Sequence, residues 1–444
     1  MHFINENNEY SNSTVLKTHL SNKSEIKNKI ATSIVHKYTW NGKNKYDNSI
    51  ILKYSFNHPL IESMSYGFSE NDISLFNQLQ INQAEKSMQA WADVTNITYL
   101  KVSRHRDANI GFYNFSKNSN LAGVGYLPHH SKFGAIYINS FFSFNNRPTN
   151  LNLGGYVLTH EIGHTLGLLH THDLKNTPNH QQHTQQVSIM SYRSAQASGA
   201  HYSGYIPSTP QLYDIAAIQY LYGANINTRI GDTVYGFNSN SEREFLSANV
   251  ASDKLIFCVW DAGGIDTFDF SGYSENQTIN LQELSFSDVG GLIGNISIAA
   301  DVVIENAIGG TGDDKLHGNE TDNILTGGAG ADQLWGNRGN NIFRYNKTSE
   351  SISTRPDTLH DFKSDKDKID LSPILFGSNG IALVDRFSSS GQTEVIQKYN
   401  EIKDITYLMI DFDNNEHETD MMISLIGKHQ LATNNFIVSP QLTA

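Results

Sequence analysis

Two short stretches hold residue types that can do chemistry together. In residues 156–170, YVLTHEIGHTLGLLH, His160 and His164 stand one helical turn apart, so on a helix both imidazoles leave the same face and can close on one metal ion. Glu161 lies between them, beside that metal but not on it, where a general base is useful. Gly167 is placed to stop the helix, since a residue without Cβ takes the left-handed turn that brings His170 back as a third ligand. Three neutral imidazoles leave a tetrahedral zinc one open position for water. With 18 histidines and 34 glycines in 444 residues, a chance match to these five positions is expected on the order of 10⁻⁴ times. A buried helix with incidental histidines is therefore the weaker reading. His172 falls off the spacing and reads as a surface histidine.

A second pattern begins at Gly309, where four nonapeptides follow one another: GGTGDDKLH, GNETDNILT, GGAGADQLW and GNRGNNIFR. The first and third match G-G-x-G-x-D-x-U-x in full, through Gly309, Gly310, Gly312 and Asp314, then Gly327, Gly328, Gly330 and Asp332. The second and fourth place Asn319 and Asn337 at the second glycine, and Asn323 and Asn341 at the aspartate. Glycines let the turn bend its carbonyls inward, the aspartates add carboxylate oxygens for calcium, and Leu316, Ile324, Leu334 and Ile342 are expected to stack into a narrow core. Two nonapeptides make one coil, so the first and third share one edge and the second and fourth the other. Calcium suits the first edge, whereas the second has amides where charge is needed. A flexible Gly/Asn linker is the alternative, and the aliphatic period argues against it.

The extended H-E-x-x-H-x-x-G-x-x-H signature, followed downstream by Ser188-Ile189-Met190-Ser191-Tyr192, is that of the metzincins with their Met-turn. Together with the nonapeptides, it makes the chain resemble the serralysin family, secreted calcium- and zinc-dependent bacterial proteases, over nearly its whole length. The resemblance implies that Tyr192 is a switchable zinc ligand and oxyanion donor, and that Met190 forms an apolar floor under the metal. It implies carbonyl calcium ligands at Arg229, Gly231 and Thr233 in TRIGDTVYGF, carboxylate ligands at Asp261 and Asp266 in WDAGGIDTFDF, and a further ligand at Glu305. Each of these acids taken alone is more often a solvated turn residue. The weaker second and fourth nonapeptides depart from the family's pattern and imply a shorter roll with fewer calcium ions.

Other parts of the chain must position these groups. A strand at 50–56, a helix over about 73–94 with Phe76, Leu79, Ala84, Met88, Trp91 and Ala92 at helical spacing, and strands at 97–102, 108–115, 123–127 and 135–139 precede the metal helix. The glycines of 123–127 suggest an open edge, to which, by resemblance, substrate adds as an antiparallel strand; an ordinary glycine-containing strand is the other reading. Residues 180–186 read as a polar loop. Residues 212–222 make a helix stopped by Gly223, and the boundary is expected near 225.

The expected organisation is a propeptide or flexible segment at 1–35, an α+β or α/β metzincin domain at 36–225, and an all-β parallel roll at 226–444. A hydrophobic fraction of 38% with 11% aromatics supports folded domains, and a net charge of −13 disfavours nucleic acid as a partner. No run has the length of a membrane helix, and the start MHFINENNEYSNS lacks the basic and apolar regions of a signal peptide. The sole cysteine, Cys258, reads as a buried hydrophobe, so staples would come from calcium. Residues 357–371, with alternating acids, could hold another calcium. The family's C-terminal export signal resembles Asn435-Phe436-Ile437-Val438 and implies a type I secretion transporter as a partner. Six residues follow that signal here. Protein substrates and a small protein inhibitor complete the expected partners, and a monomer is the default. The expected activity is secreted zinc endopeptidase. A calcium-dependent binding or adhesion protein with an idle protease domain, and a hydrolase for a bond other than peptide, stand as alternatives.

Overall fold

The computed structural model describes residues 23–57, 72–128, 134–173, 183–375, 380–388, 390–412 and 418–438. It forms two compact units, one of Met1–Ile230, Ile256–Ala262 and Ile293–Val302, the other of Gly231–Leu255, Gly263–Leu292 and Val303–Ala444. The chain thus passes between the units several times.

The first unit holds a mixed sheet of β1 (Ile50–Ser55), β2 (Ile73–Ser74), β3 (Ile97–Lys101), β4 (Ile110–Phe115), β5 (Gly123–Gly125) and β6 (Gly134–Asn139). Its order is β3-β1-β4-β6-β5, with β2 antiparallel to β4, and β5 is the outer strand, antiparallel to β6. Every residue of β4 and β6 is buried, as befits central parallel strands covered on both faces. Helix α1 (Gln78–Val94) starts later than the apolar spacing suggests. Asn77 caps it in a reciprocal box with Gln80, while Ile73 and Ser74 pair with β4. Leu79, expected in the core, is exposed at 52%. Trp91 does lie in the core, and its indole N–H donates to the Thr159 carbonyl of α2 (Leu153–Leu166) at 3.1 Å. Helix α3 (Leu212–Tyr222) ends before Gly223 as expected.

Residues 23–33 are helical, with Ile26, Ile30, Ala31 and Ile34 buried, so the expected boundary at 35 marks no change in packing. Val35 bridges Leu168, and the His36 N–H donates to the Gly167 carbonyl at 2.7 Å, tying this segment to the exit of α2.

In the second unit, Asn306–Ile308, Ile324–Thr326 and Ile342–Arg344 stack in parallel in one sheet, and Lys315–His317, Gln333–Trp335 and Asp357–Leu359 in another. This is the expected parallel roll, with the first and third nonapeptides on one sheet and the second and fourth on the other. Its core register differs from expectation in half the repeats. Leu316, Leu325, Leu334 and Phe343 point inward, whereas Ile324 and Ile342 are only half-buried. The inward position is the penultimate one in every nonapeptide, so Leu325 and Phe343 take the place assigned to their more β-branched neighbours. Beyond the repeats, Thr393–Asn400, Ile405–Asp411 and Met421–Ile426 form an antiparallel set, and Phe436–Ile437 pairs in parallel with Ile369 and Asp370.

Candidate metal centre

Helix α2 starts on the Asn152 side chain, which accepts from the Gly155 N–H, and ends at Gly167, whose φ of +104° is open to glycine and costly for other residues. His160 and His164 project from it together, and the turn after Gly167 returns His170 to them. The ligand nitrogens of these three histidines all lie within 4.8 Å of one another.

Hydrogen bonds fix the tautomers. His160 Nδ1 lies 2.8 Å from the Ile189 carbonyl and His164 Nδ1 lies 2.8 Å from the Leu168 carbonyl, so both nitrogens donate and both Nε2 atoms present lone pairs. His160 Nε2 is buried without a hydrogen-bond partner among the described residues, and the Nε2 atoms of His164 and His170 approach to 3.0 Å. Converging lone pairs of this kind fit a divalent cation. Burial, reinforced by the neighbouring imidazoles, lowers all three histidines, His164 to about 3 and His170 to about 4, which keeps them neutral as ligands.

Glu161 is buried, and burial lifts its carboxyl to about 7 against the stabilising N–H of Gly125. A Cβ at Gly123 would stand 2.9 Å from Glu161 Oε1, so the glycines of β5 are explained by the close approach of α2. The strand edge beyond them is nevertheless the outer one of the sheet. Met190 is fully buried, and its Sδ would stand 2.6 Å from a Cβ on Gly163, putting the thioether under the turn between His160 and His164. The Tyr192 ring lies beside the triad, 4.5 Å from His170 and 5.3 Å from His160 between centroids.

Several contributors were missed by sequence reasoning. Asp214, in the first turn of α3, accepts from Ser188 Oγ at 2.7 Å, the Ile189 N–H at 2.6 Å and the Gln211 N–H at 2.8 Å. It thereby holds the backbone of Ile189, the residue whose carbonyl orients His160. A lone acid in an otherwise apolar helix was the available signal. His172 is no surface histidine: it is half-buried against His170 and Tyr192, because the turn after His170 folds back over the triad. His183 and Gln186, expected in a polar loop, are buried, and His183 Nδ1 lies 3.0 Å from the Thr171 carbonyl; residues 180–182 lie outside the described residues.

The two edges of the roll differ in what they could hold. Along one, a ladder runs from the Gln277 N–H to Asp314 Oδ1 at 2.7 Å, from the Asp314 N–H to Asp332 Oδ1 at 2.7 Å, and from the Asp332 N–H to Asp357 Oδ1 at 2.9 Å. Gln277 Oε1 and Asp332 Oδ2 are buried oxygens with no donor among the described residues, which suits a cation. A Cβ on Gly309 would meet Asp314 Oδ2 at 2.5 Å, and one on Gly327 would meet Asp332 Oδ2 at 2.3 Å, so these glycines leave room for the carboxylates. Gly310 and Gly312 are as tightly set, and Gly328 and Gly330 follow them in the next coil at positive φ.

On the other edge, side-chain amides cover the carbonyls. Asn319 Nδ2 donates to the Ile304 carbonyl at 2.8 Å, Asn323 Nδ2 to the Glu305 carbonyl at 2.9 Å and Asn337 Nδ2 to the Gly318 carbonyl at 2.7 Å, while the Lys363 ammonium donates to the Asn337 carbonyl. A cation does not fit among donors. Two of the acids expected to bind calcium in 357–371 are engaged on this edge: Asp361 accepts from the Gly336 and Asn337 N–H groups at 2.7 Å each, and Asp367 from the Asn341 N–H at 2.9 Å. Of the remaining candidates, the Thr233 N–H donates to Asp266 Oδ1 at 2.8 Å and the Asp266 N–H to Glu305 Oε2 at 2.7 Å in the second unit. Gly231 belongs to that unit, Arg229 and Asp261 to the first, where Arg229 pairs with Asp93 at 3.2 Å.

Comparison with known proteins agrees with both halves. Residues 57–193 match the family model Matrixin, and residues 224–438 match Peptidase M10 serralysin C terminal. Metalloprotease AprA of Pseudomonas entomophila is 45% identical over 82% of this chain and 80% of its own. Serralysin A of Dickeya chrysanthemi is 42% identical over 88% and 85%, and serralysin of Proteus mirabilis 40% identical over 88% of each chain.

Proposed function

Because the chain belongs to the serralysin family of zinc metalloendopeptidases, we propose that it cuts protein substrates with Glu161 as general base and Tyr192 as oxyanion donor, and that it works outside the cell. The convergence of three lone-pair-bearing Nε2 atoms beside a buried carboxylate carries this reading. His160, His164 and His170 would hold the zinc, which when bound would supply a Lewis acid for the scissile carbonyl and a water of lowered pKa. Glu161, with a carboxyl near 7, is matched to take the proton of the attacking water and pass it to the departing amine. The Tyr192 hydroxyl, which burial keeps protonated, can donate to the oxygen on which charge develops. A peptide added to the open edge of β5 would run past Glu161, gaining main-chain hydrogen bonds with little demand on sequence.

Calcium is assigned to the edge built on Asp314, Asp332 and Asp357, where buried oxygens without donors support it, and not to the amide-covered edge. The C-terminal strand Phe436–Ile437 is read as part of the export signal for a type I transporter. No helix among the described residues is long and apolar enough to cross a membrane. The idle-domain alternative is not favoured, since the triad, Glu161 and Tyr192 are all present and assembled.

The test is hydrolysis of denatured casein by the wild type and Glu161→Ala, with zinc content measured for both. Glu161→Ala should keep its zinc and lose at least about a hundredfold in rate. A zinc-loaded wild type that cuts nothing would overturn the reading.

A further inference from the structure

We infer that His172 is a positioning residue for Tyr192, anchoring the backbone and one ring face of the tyrosine; this rests on the reading of Tyr192 as oxyanion donor. His172 Nδ1 accepts from the Tyr192 N–H at 3.2 Å, and the imidazole is also hydrogen-bonded to the Met190 carbonyl. The same side chain therefore clasps the Met-turn at two points either side of Ser191. Its ring lies 4.4 Å from the Tyr192 ring at 31° between planes, and 4.8 Å from His170 at 25°, so it packs against both the third histidine of the triad and the tyrosine in a three-ring cluster. Asp173 completes the link. Its Oδ2 is 3.3 Å from His170 Nδ1, and its Oδ1 is 3.7 Å from His172 Nε2.

Two consequences follow from this geometry. A phenol swings about its Cα–Cβ bond, whose direction is set by the Tyr192 backbone; the His172 acceptor holds that backbone, and the imidazole packed against the phenol walls off one direction of swing. Misplacement of a reacting group by about 1 Å can cost on the order of a hundredfold in rate. Packing alone would be served equally by an apolar ring, but such a ring leaves the half-buried Tyr192 N–H without its acceptor. His172→Phe thus separates shape from hydrogen bonding, and His172→Asn restores an acceptor and a donor on a smaller side chain.

The experiment compares wild type, His172→Phe, His172→Asn, Tyr192→Phe and the double variant Tyr192→Phe/His172→Phe. It measures kcat and KM on a fluorogenic peptide, zinc content, Tm, and hydrogen–deuterium exchange of the segment 188–193 in metal-free protein. His172→Phe should lower kcat about tenfold or more with KM little changed and zinc retained. It should also speed exchange across 188–193, and His172→Asn should recover most of both effects. In the Tyr192→Phe background, His172→Phe should cost nothing further. An equal loss in both backgrounds, or a loss that tracks zinc content or Tm, overturns the inference. Full kcat in Tyr192→Phe instead removes the oxyanion-donor reading beneath it, an outcome read from that single variant alone.

Discussion

A Cβ added to Gly125 would stand 2.2 Å from the carbonyl oxygen of Glu161. The outer strand of the sheet therefore rests directly on the backbone of the metal helix, and the same glycine supplies the N–H that faces the Glu161 carboxylate. Gly125→Ala should push the strand away from the helix, lowering stability by about 1–3 kcal/mol, a typical overpacking cost. Proteolysis should fall at least about tenfold, since both the proposed base and the proposed substrate edge move. Thermal melts and casein assays check this, and unchanged activity would mean that the strand shifts without consequence.

Asp214 touches no ligand, yet its loss should weaken metal binding. Asp214→Ala strands the Ser188 hydroxyl and the Ile189 and Gln211 N–H groups, at about 1–3 kcal/mol for each buried donor left unpaired. It also frees the Ile189 carbonyl that holds His160 Nδ1. Zinc affinity should drop about 10- to 100-fold, as for other outer partners of metal ligands. Competition with a chelating dye measures this; a lowered Tm with intact affinity would show that the turn is held by other contacts.

Burial raises Asp314 to about 6 and Asp332 to about 7, both from an ordinary 3.8. In the absence of calcium the folded roll therefore binds more protons than the unfolded chain between these values. The stabilisation from these carboxyls is complete below about pH 4 and is lost as pH climbs towards 7. In chelator, the melting of the roll should fall over that window. Calcium, which takes the ionised form, should reverse the trend and release protons on binding. Asp332→Asn should flatten the pH dependence and weaken calcium's effect. Asn341→Ala should destabilise by the same amount with and without calcium, as a donor-covered edge requires.

Leu325→Ala should cost about 2–5 kcal/mol, the range for a fully buried leucine, and Ile324→Ala clearly less. Denaturant melts of the two variants decide the register; a larger loss at Ile324 would reverse it.

Much of the molecule was legible because some residues have few physical uses. Histidines one turn apart with a glycine stop admit little besides a metal helix, and the nonapeptide period fixed which repeats share a sheet. The choice between Ile324 and Leu325 was not legible from residue type, since both are aliphatic and only the common position across all repeats separates them. Leu79 misled for a similar reason: its helical spacing was sound, but Asn77 and Gln80 start the helix with that residue outward. Asp214 and His172 were missed because their roles depend on neighbours distant in sequence. Asp214 reaches the Met-turn, and His172 reaches a backbone N–H twenty residues along.

Within the four nonapeptides the ladder steps join residues 18 apart, from Asp314 to Asp332 and from Asn323 to Asn341. Each edge is thus written by alternate nonapeptides. Inserting or deleting a single nonapeptide would hand every later carboxylate to the amide edge and every later amide to the carboxylate edge. Length changes in this region are tolerable in pairs of repeats, so a descendant of this chain can lengthen its roll by whole coils without scrambling which edge carries charge.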